Sequence, residues 1–277
     1  MCSIEHLLST RDFQGEALLN SMQLTEDVLV INQLVHSKAK HEKKLPHENF
    51  YTAHNSRVRV LSYAEKGIGI SRKRALQEGR GDILLFTDDD MVYKKDYAQL
   101  VRETFRAHPQ ADLFMFKVER LAQKERPEAK QSRGVRKLSW YNSLRYGAIN
   151  IAIKRAFVEK TGISFDERFG SNLFLSGEDS VFIADALAAG AQIYSSSEPI
   201  ARVDMSQSSW FSGYTEDFLK NRGAIFYRIN PRYYKFLCLQ FALRKKHLFD
   251  ASFSISRMMK CMDEGKHLFI ETFGELK

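Results

Sequence analysis

The sequence predicts an α/β fold with a mostly parallel central sheet, helices on both of its faces and a helical C-terminal extension. Three observations carry that prediction. Over residues 1–90 short apolar runs alternate with helix-compatible stretches, the rhythm of βα units. Ile83-Leu84-Leu85-Phe86 is continuously apolar, as a strand covered on both faces must be. Beyond residue 205 the alternation gives way to long helical stretches in which aromatic and cationic side chains interleave.

In chain order, residues 4–9, 28–31, 58–61 and 83–87 read as strands, and 15–22 and 71–78 as helices between them. Residues 96–108 have the periodicity of an amphipathic helix, and 111–118 that of another strand. Residues 120–137 hold seven Lys and Arg against two acids with few apolar side chains, which predicts a mobile surface loop. Apolar character returns over 140–153, 155–161 reads as helical, 176–189 as a helix that Gly190 ends, and 192–195 as a last short strand. The change of pattern divides the chain into an α/β domain, 1–205, and a basic, aromatic extension, 206–277. That extension carries 12 Lys and Arg against 7 Asp and Glu.

The 277 residues, 44% hydrophobic, suffice for a large core and exclude a disordered chain. With 42 Lys and Arg against 34 Asp and Glu the net charge is +8, which invites an anionic partner: nucleic acid, an acidic membrane face or a phosphorylated small molecule. Only Cys2, Cys238 and Cys261 occur, too few and too scattered for a disulfide framework or zinc cluster, so a reducing cytoplasm is expected. The first thirteen residues lack a long apolar stretch, and the longest strongly apolar run, 236–243, includes Gln240; neither export nor membrane spanning is expected.

Asp88-Asp89-Asp90 follows the apolar run of residues 83–86 and so sits at a strand's C-terminal end, the edge where open α/β sheets bind ligands. Three adjacent carboxylates repel one another unless a cation or donor-rich ligand compensates them. Alternation puts Asp88 and Asp90 on one side, a spacing suited to a hard cation that also holds phosphate; the plain alternative is a solvated acidic turn. Upstream, Gly67-Ile68-Gly69 with Lys66, Arg72, Lys73 and Arg74 puts glycines and cations at a helix entry, suited to phosphate or simply to a solvated basic face. Gly177-Glu178-Asp179 opens a helix, where acids favour the helix dipole; an Asp fixed there could also serve as general base.

Other motifs are weaker. Eight His residues show no HExxH spacing, Arg80-Gly81-Asp82 reads as a helix-ending turn, no GxSxG occurs, and Cys238 and Cys261 read as core.

The run EKGIGISRKRALQEGRGDILLFTDDDMVY, residues 65–93, resembles the nucleotide-sugar segment of family 2 glycosyltransferases of the GT-A fold, where a Gly/Arg helix precedes a strand ending in a DxD motif. GAINIAIKRAFVEKTGISFDERFG and SGEDSVFIADALAAG, within residues 147–190, resemble that family's acceptor-side segment with its Glu-Asp motif. The likeness covers roughly residues 1–200 and implies a GT-A, Rossmann-like fold and catalysis by the 1–205 domain. It implies a metal-dependent, inverting transferase of the hexosyl or N-acetylhexosaminyl class, acting in polysaccharide biosynthesis. Carried over, it makes Asp90 and Asp88 ligands of Mn²⁺ or Mg²⁺, Asp179 the catalytic base and Glu178 its support. Thr10, Asn32, Gly67, Arg72, Asp88 and Asp89 would bind the nucleotide sugar.

The sequence departs from the family in two places. The second strand ends in Asn32-Gln33 instead of Asp-Asp, which leaves UDP against other nucleotides open. No His follows the Glu-Asp helix, and Asp204 is the candidate substitute. No QxxRW-type motif occurs, which favours transfer of single sugars. The expected partners are a nucleotide-diphosphate sugar, probed first as a UDP sugar, a saccharide or lipid-linked saccharide acceptor, and an anionic membrane surface, with no nucleic acid. Two rival readings are a sugar-phosphate nucleotidyltransferase, whose glycine-rich loop is missing at residues 10–13, and a degenerate module that binds nucleotide or glycan without turnover.

Overall fold

Strands buried on both faces build this molecule outward from β1. A computed structural model describes residues 2–34, 47–53, 56–121, 134–204 and 213–276. In chain order the elements are β1 (Ile4–Arg11), α1 (Glu16–Met22), β2 (Asp27–Gln33), β3 (His47–Ala53), β4 (Ser56–Tyr63), α2 (Ile68–Glu78) and β5 (Ile83–Asp88). Then come β6 (Met91–Tyr93), α3 (Tyr97–Ala107), β7 (Leu113–Leu121), β8 (Val135–Lys137), α4 (Trp140–Ser143), β9 (Ile151–Lys154), α5 (Arg155–Thr161) and α6 (Glu178–Ala188). The chain continues through β10 (Ile193–Asp204), α7 (Glu216–Ile229), α8 (Tyr234–Lys245) and α9 (Ile255–Phe273).

The strands form one sheet in the order β3-β4-β2-β1-β5-β9-β7-β10-β6, with β8 pairing β10. The run β4-β2-β1-β5 is parallel, as is β7 with β10. By contrast β9 lies antiparallel between β5 and β7, and β3, β6 and β8 are antiparallel on their partners. The sheet is thus parallel from β4 to β5 and mixed beyond β5. Odd and even positions go to opposite faces. Leu8, Val30 and Leu85 pack under α1 and α3 with Leu19, Met22, Val101 and Phe105. Leu7, Leu29 and Phe86 pack under α2, α5 and α6 with Leu76, Phe157 and Phe182. Helices therefore cover both faces, as expected.

Two strands differ from the sequence reading. β10 runs on to Asp204 instead of stopping near residue 195, because its ladder with β7 absorbs register shifts on either side of Pro199. Val135–Lys137, read as part of a loop, pairs with residues 194–196 of β10; residues 122–133 of that loop lie outside the described residues.

Helices α7 to α9 start from capping side chains where the sequence offers them: Thr215 Oγ1 accepts from Phe218 N at 3.2 Å, and Ser254 Oγ from Arg257 N at 3.1 Å. Their shared apolar cluster takes in Phe169, Phe174 and Val181 from the preceding part of the chain. Phe269 of α9 lies against Phe169 and Phe174, with ring centroids 5.7 and 5.9 Å away. Arg228 of α7 donates to Asp166 Oδ2 at 2.7 Å and to both oxygens of Asp185 on α6 at 3.0 and 2.7 Å. Where α7 crosses α9, a Cβ at Gly223 would lie 1.9 Å from the Met262 carbonyl oxygen, and one at Gly265 would lie 1.9 Å from that of Lys220. Only glycine permits this crossing.

Candidate active site

The parallel strands bring their C-terminal ends to one edge. Register sets Thr10 beside Asn32 and Ser9 beside Asp88, so three of the residues singled out in the sequence meet there. Asn32 is committed internally: Phe13 N donates to its Oδ1 at 2.9 Å and its Nδ2 donates to Ser62 Oγ at 3.0 Å. Thr10 Oγ1 donates to Asp89 Oδ2 at 2.6 Å.

Arg72 joins the two acidic motifs. From α2 its Nη1 donates to Glu178 Oε1 at 2.5 Å, and its Nη2 reaches Asp88 Oδ1 and Oδ2 at 3.0 and 3.1 Å. Burial alone would lower the guanidinium's pKa, but Asp88, Glu178 and Asp179 raise it overall, so the charge is fixed. Glu178 is buried as deeply, with its Oε2 lacking a hydrogen-bond partner. Burial and then Asp179 push its carboxyl upward, against the pull of Arg72.

Asp90 is the acid left over. Burial first, and then repulsion from Asp88 and Asp89, push its carboxyl up to about 6, with Asp204 adding to the same effect. The antiparallel pairing of β6 and β10 sets Val203 opposite Met91 and so carries Asp204 to this corner. Carboxylates crowded at one strand end suit a hard divalent cation with oxygen ligands. Among the described residues no three His, Cys, Asp or Glu side chains converge into a complete cage. The donor set therefore fits a cation held by one or two carboxylates together with the ligand's phosphates, the manner in which Mg²⁺ is usually bound.

Asp179 sits in the first turn of α6, half-buried, with Ser180 N donating to its Oδ1 at 2.6 Å. The turn before it depends on α7. Gly177 has φ 111, and a Cβ there would lie 2.4 Å from Ile225 Cδ1. Asn221 Nδ2 donates to the carbonyl oxygen and to Oγ of Ser176 at 3.0 and 2.9 Å. One residue further along α7, Arg222 lies among the rings of Phe218, Phe241 and Phe226 at 5.2, 5.7 and 6.0 Å, with its buried Nε unpartnered. Burial lowers its pKa, and Asp179 is the first group that opposes the shift. Sequence reasoning missed Asn221 and Arg222, since both merge into a run of cations and aromatics; the signal was their place on a helix beginning at a Thr cap.

The glycines and cations at the start of α2 also make contacts within the chain. Ile68 N, at the start of α2, donates to the Gly170 carbonyl at 2.8 Å. A Cβ at Gly69 would lie 2.1 Å from the Phe169 carbonyl oxygen, so the close approach these glycines permit is to residues 169–170 of the chain itself. The Gly67 carbonyl accepts from Gln33 Nε2 at 2.9 Å. Lys73 is paired with Glu167 at 2.9 Å and Arg74 with Glu65 at 2.7 Å. Likewise Arg80-Gly81-Asp82 is structural, because Ser3 N and Oγ donate to Asp82 Oδ2 at 2.8 and 2.9 Å. All three cysteines are free, Cys238 and Cys261 being buried.

Beneath the acidic corner lies a buried polar network. His6 Nδ1 is 2.9 Å from Thr87 Oγ1 and its Nε2 is 2.7 Å from Tyr97 OH, while Tyr93 OH is 2.8 Å from the same Thr87 oxygen. Thr87 Oγ1 donates to the Leu85 carbonyl at 3.1 Å, so it accepts from His6 Nδ1–H and from Tyr93. Nε2 then accepts from Tyr97, and the ring is neutral; its burial lowers the pKa to about 3.

A sheet edge of this kind, with helices on both faces, carboxylates at the end of the central strand and a Glu-Asp helix facing them, defines a GT-A glycosyltransferase fold. Residues 40–164 match the family described as glycosyl transferase family 2. S. aureus TarS 1-349 in complex with UDP-GlcNAc superposes with a TM-score of 0.63 at 16% identity, over 97% of this chain and 81% of that one. Its complex with UDP gives 0.60 at 16% identity, over 92% and 73% of the two chains. The mannosyltransferase PcManGT from Pyrobaculum calidifontis, in complex with GDP-Man and Mn²⁺, gives 0.52 at 13% identity, over 99% and 76%. No curated protein matches the chain.

Proposed function

We propose that this glycosyltransferase moves a single hexosyl or N-acetylhexosaminyl unit, with inversion, from a UDP sugar to a hydroxyl of a saccharide or lipid-linked saccharide in polysaccharide biosynthesis. The observation that carries the reading is the bridge made by Arg72, which draws half-buried Asp88 and buried Glu178 into one cluster beside Asp90 and Asp179. The nucleotides bound by the TarS and PcManGT structures support a nucleotide-sugar donor, and the Mn²⁺ in the latter supports a divalent cation.

In this reading Asp90, with Asp88, would hold Mn²⁺ or Mg²⁺, whose charge offsets the negative charge gathering on the departing diphosphate. Thr10, Asn32 and Asp89 shape the nucleoside side of the edge. Arg72 holds Asp88 and Glu178 at fixed separation, and Glu178 anchors the turn that presents Asp179. The acceptor oxygen forms a bond to the anomeric carbon, and the bond from that carbon to the phosphate oxygen breaks, its electron pair leaving with the nucleoside diphosphate. Asp179 takes the acceptor's hydroxyl proton. A single displacement of this kind inverts the anomeric centre. The unit of action is residues 1–205 with 206–277 as an appended buttress, in the cytoplasm and peripheral to the inner face of the plasma membrane. Among the described residues no helix is long and apolar enough to cross a membrane.

Incubation with a panel of nucleotide sugars, with and without Mn²⁺, tests the proposal by release of nucleoside diphosphate. Metal-dependent release from one donor, lost in Asp90→Asn, is the expected result. Donor binding without release in the presence of a saccharide acceptor panel would favour a module that binds without turnover.

A further inference from the structure

Helix α8 carries an apolar stripe on its outer side. Tyr234, Cys238 and Ala242 face the core at 4%, 0% and 0% exposure, whereas Tyr233, Phe236, Leu239 and Leu243 are 59%, 63%, 42% and 63% exposed. Residues 236, 239 and 243 fall on one side of the helix, opposite the buried row. Four of the nine large hydrophobic side chains exposed among the described residues thus lie within eleven consecutive positions. A cluster of that kind marks an interaction surface.

Cations border the stripe. Arg232, Lys235, Arg244 and Lys245 are all exposed. None of them joins an ion pair among the described residues, whereas Lys220 is held by Glu264, Arg228 by Asp166 and Asp185, and Arg257 by Glu216. No acid occurs between Asp217 and Asp250. The surface is therefore apolar along its centre and bordered by these four cations, the nearest acid to α8 being on its inner side, where Asp263 of α9 acts on Tyr234 and Cys238.

We propose that α8 lies flat on an anionic phospholipid bilayer, with Phe236, Leu239 and Leu243 in the acyl boundary and Arg232, Lys235, Arg244 and Lys245 among the headgroups. Charge selects this occupant. A second copy docked on the same face about a two-fold axis would set cations against cations, while an acidic bilayer meets both the stripe and its borders. A helix of twelve residues, about 18 Å long, reaches along the interface and does not span it. A lipid-borne acceptor follows only together with the transfer reading above; the docking stands apart from it.

Flotation with vesicles of phosphatidylcholine alone or mixed with phosphatidylglycerol decides the matter. Binding to the mixed vesicles only, weakened by added salt, is expected. Arg244→Ala with Lys245→Ala should weaken it roughly 25-fold, from about 5-fold for each cation near the surface. Phe236→Gln with Leu243→Gln should abolish it while the thermal melt and nucleotide binding stay unchanged. Equal binding to neutral vesicles, no binding to either, or full binding by the Gln variant would overturn the proposal. So would a dimer in light scattering that the Gln variant dissociates, which assigns the face to a second copy. Because flotation needs no donor, its failure leaves the transfer reading standing, and failure of transfer leaves docking intact.

Discussion

Arg72 and Glu178, 106 residues apart in sequence, lie 2.5 Å from each other in an ion pair whose two side chains are each 7% exposed. A buried pair of this kind contributes less by its attraction than it costs when one partner is removed. Arg72→Gln leaves Glu178 and Asp88 without their cation and should lose about 3 to 5 kcal/mol of unfolding free energy. Arg72→Lys restores charge but not the two-handed reach of a guanidinium, and should fall between the two. Urea unfolding of the three proteins orders them.

Asp179→Asn keeps size and hydrogen bonding but removes the base. Turnover should fall roughly 10² to 10⁴-fold, with affinity for the nucleotide sugar unchanged. Calorimetric titration beside a transfer assay separates the two quantities; undiminished turnover would remove Asp179 from the reaction.

The neutral His6 makes stability fall with acid. Its pKa is about 3 in the folded chain against an ordinary 6.5, so below 6.5 the unfolded chain binds the extra proton. Its contribution is whole above 6.5 and is lost as pH falls towards 3, at up to about 1.4 kcal/mol per pH unit. Unfolding free energies of the protein and His6→Gln across that interval should show a shallower slope in the variant.

Gly223→Ala places a methyl group where the Met262 carbonyl oxygen stands 1.9 Å away, and neither backbone can yield without parting α7 from α9. A loss of about 3 kcal/mol or more is expected in thermal unfolding, together with lower transfer activity, since α7 also carries Asn221.

The acidic corner was legible in the sequence because Ile83-Leu84-Leu85-Phe86 announces a buried strand and the three Asp residues begin where that burial ends. Helix α6 was legible because Gly177 and Gly190 punctuate it. The reach of β10 was hidden by Ser195-Ser196-Ser197-Glu198-Pro199, which has the composition of a turn yet is carried by an irregular ladder. The direction of β9 was hidden because its three apolar residues pair equally well either way. Gly67 and Gly69 show a deeper ambiguity: glycine records that something comes close, and the sequence did not reveal that backbone at residues 169–170 does so.

Ile225 fills the space beside Gly177 in which any other residue would need its Cβ. The turn that presents Glu178 and Asp179 is thereby moulded against a helix encoded some fifty residues later, and the two segments must be inherited together. A chimera that joined this chain's residues 1–205 to another protein's tail would keep Glu178 and Asp179 and still misplace them, whereas one that moved α6 and α7 as a pair would carry that turn intact.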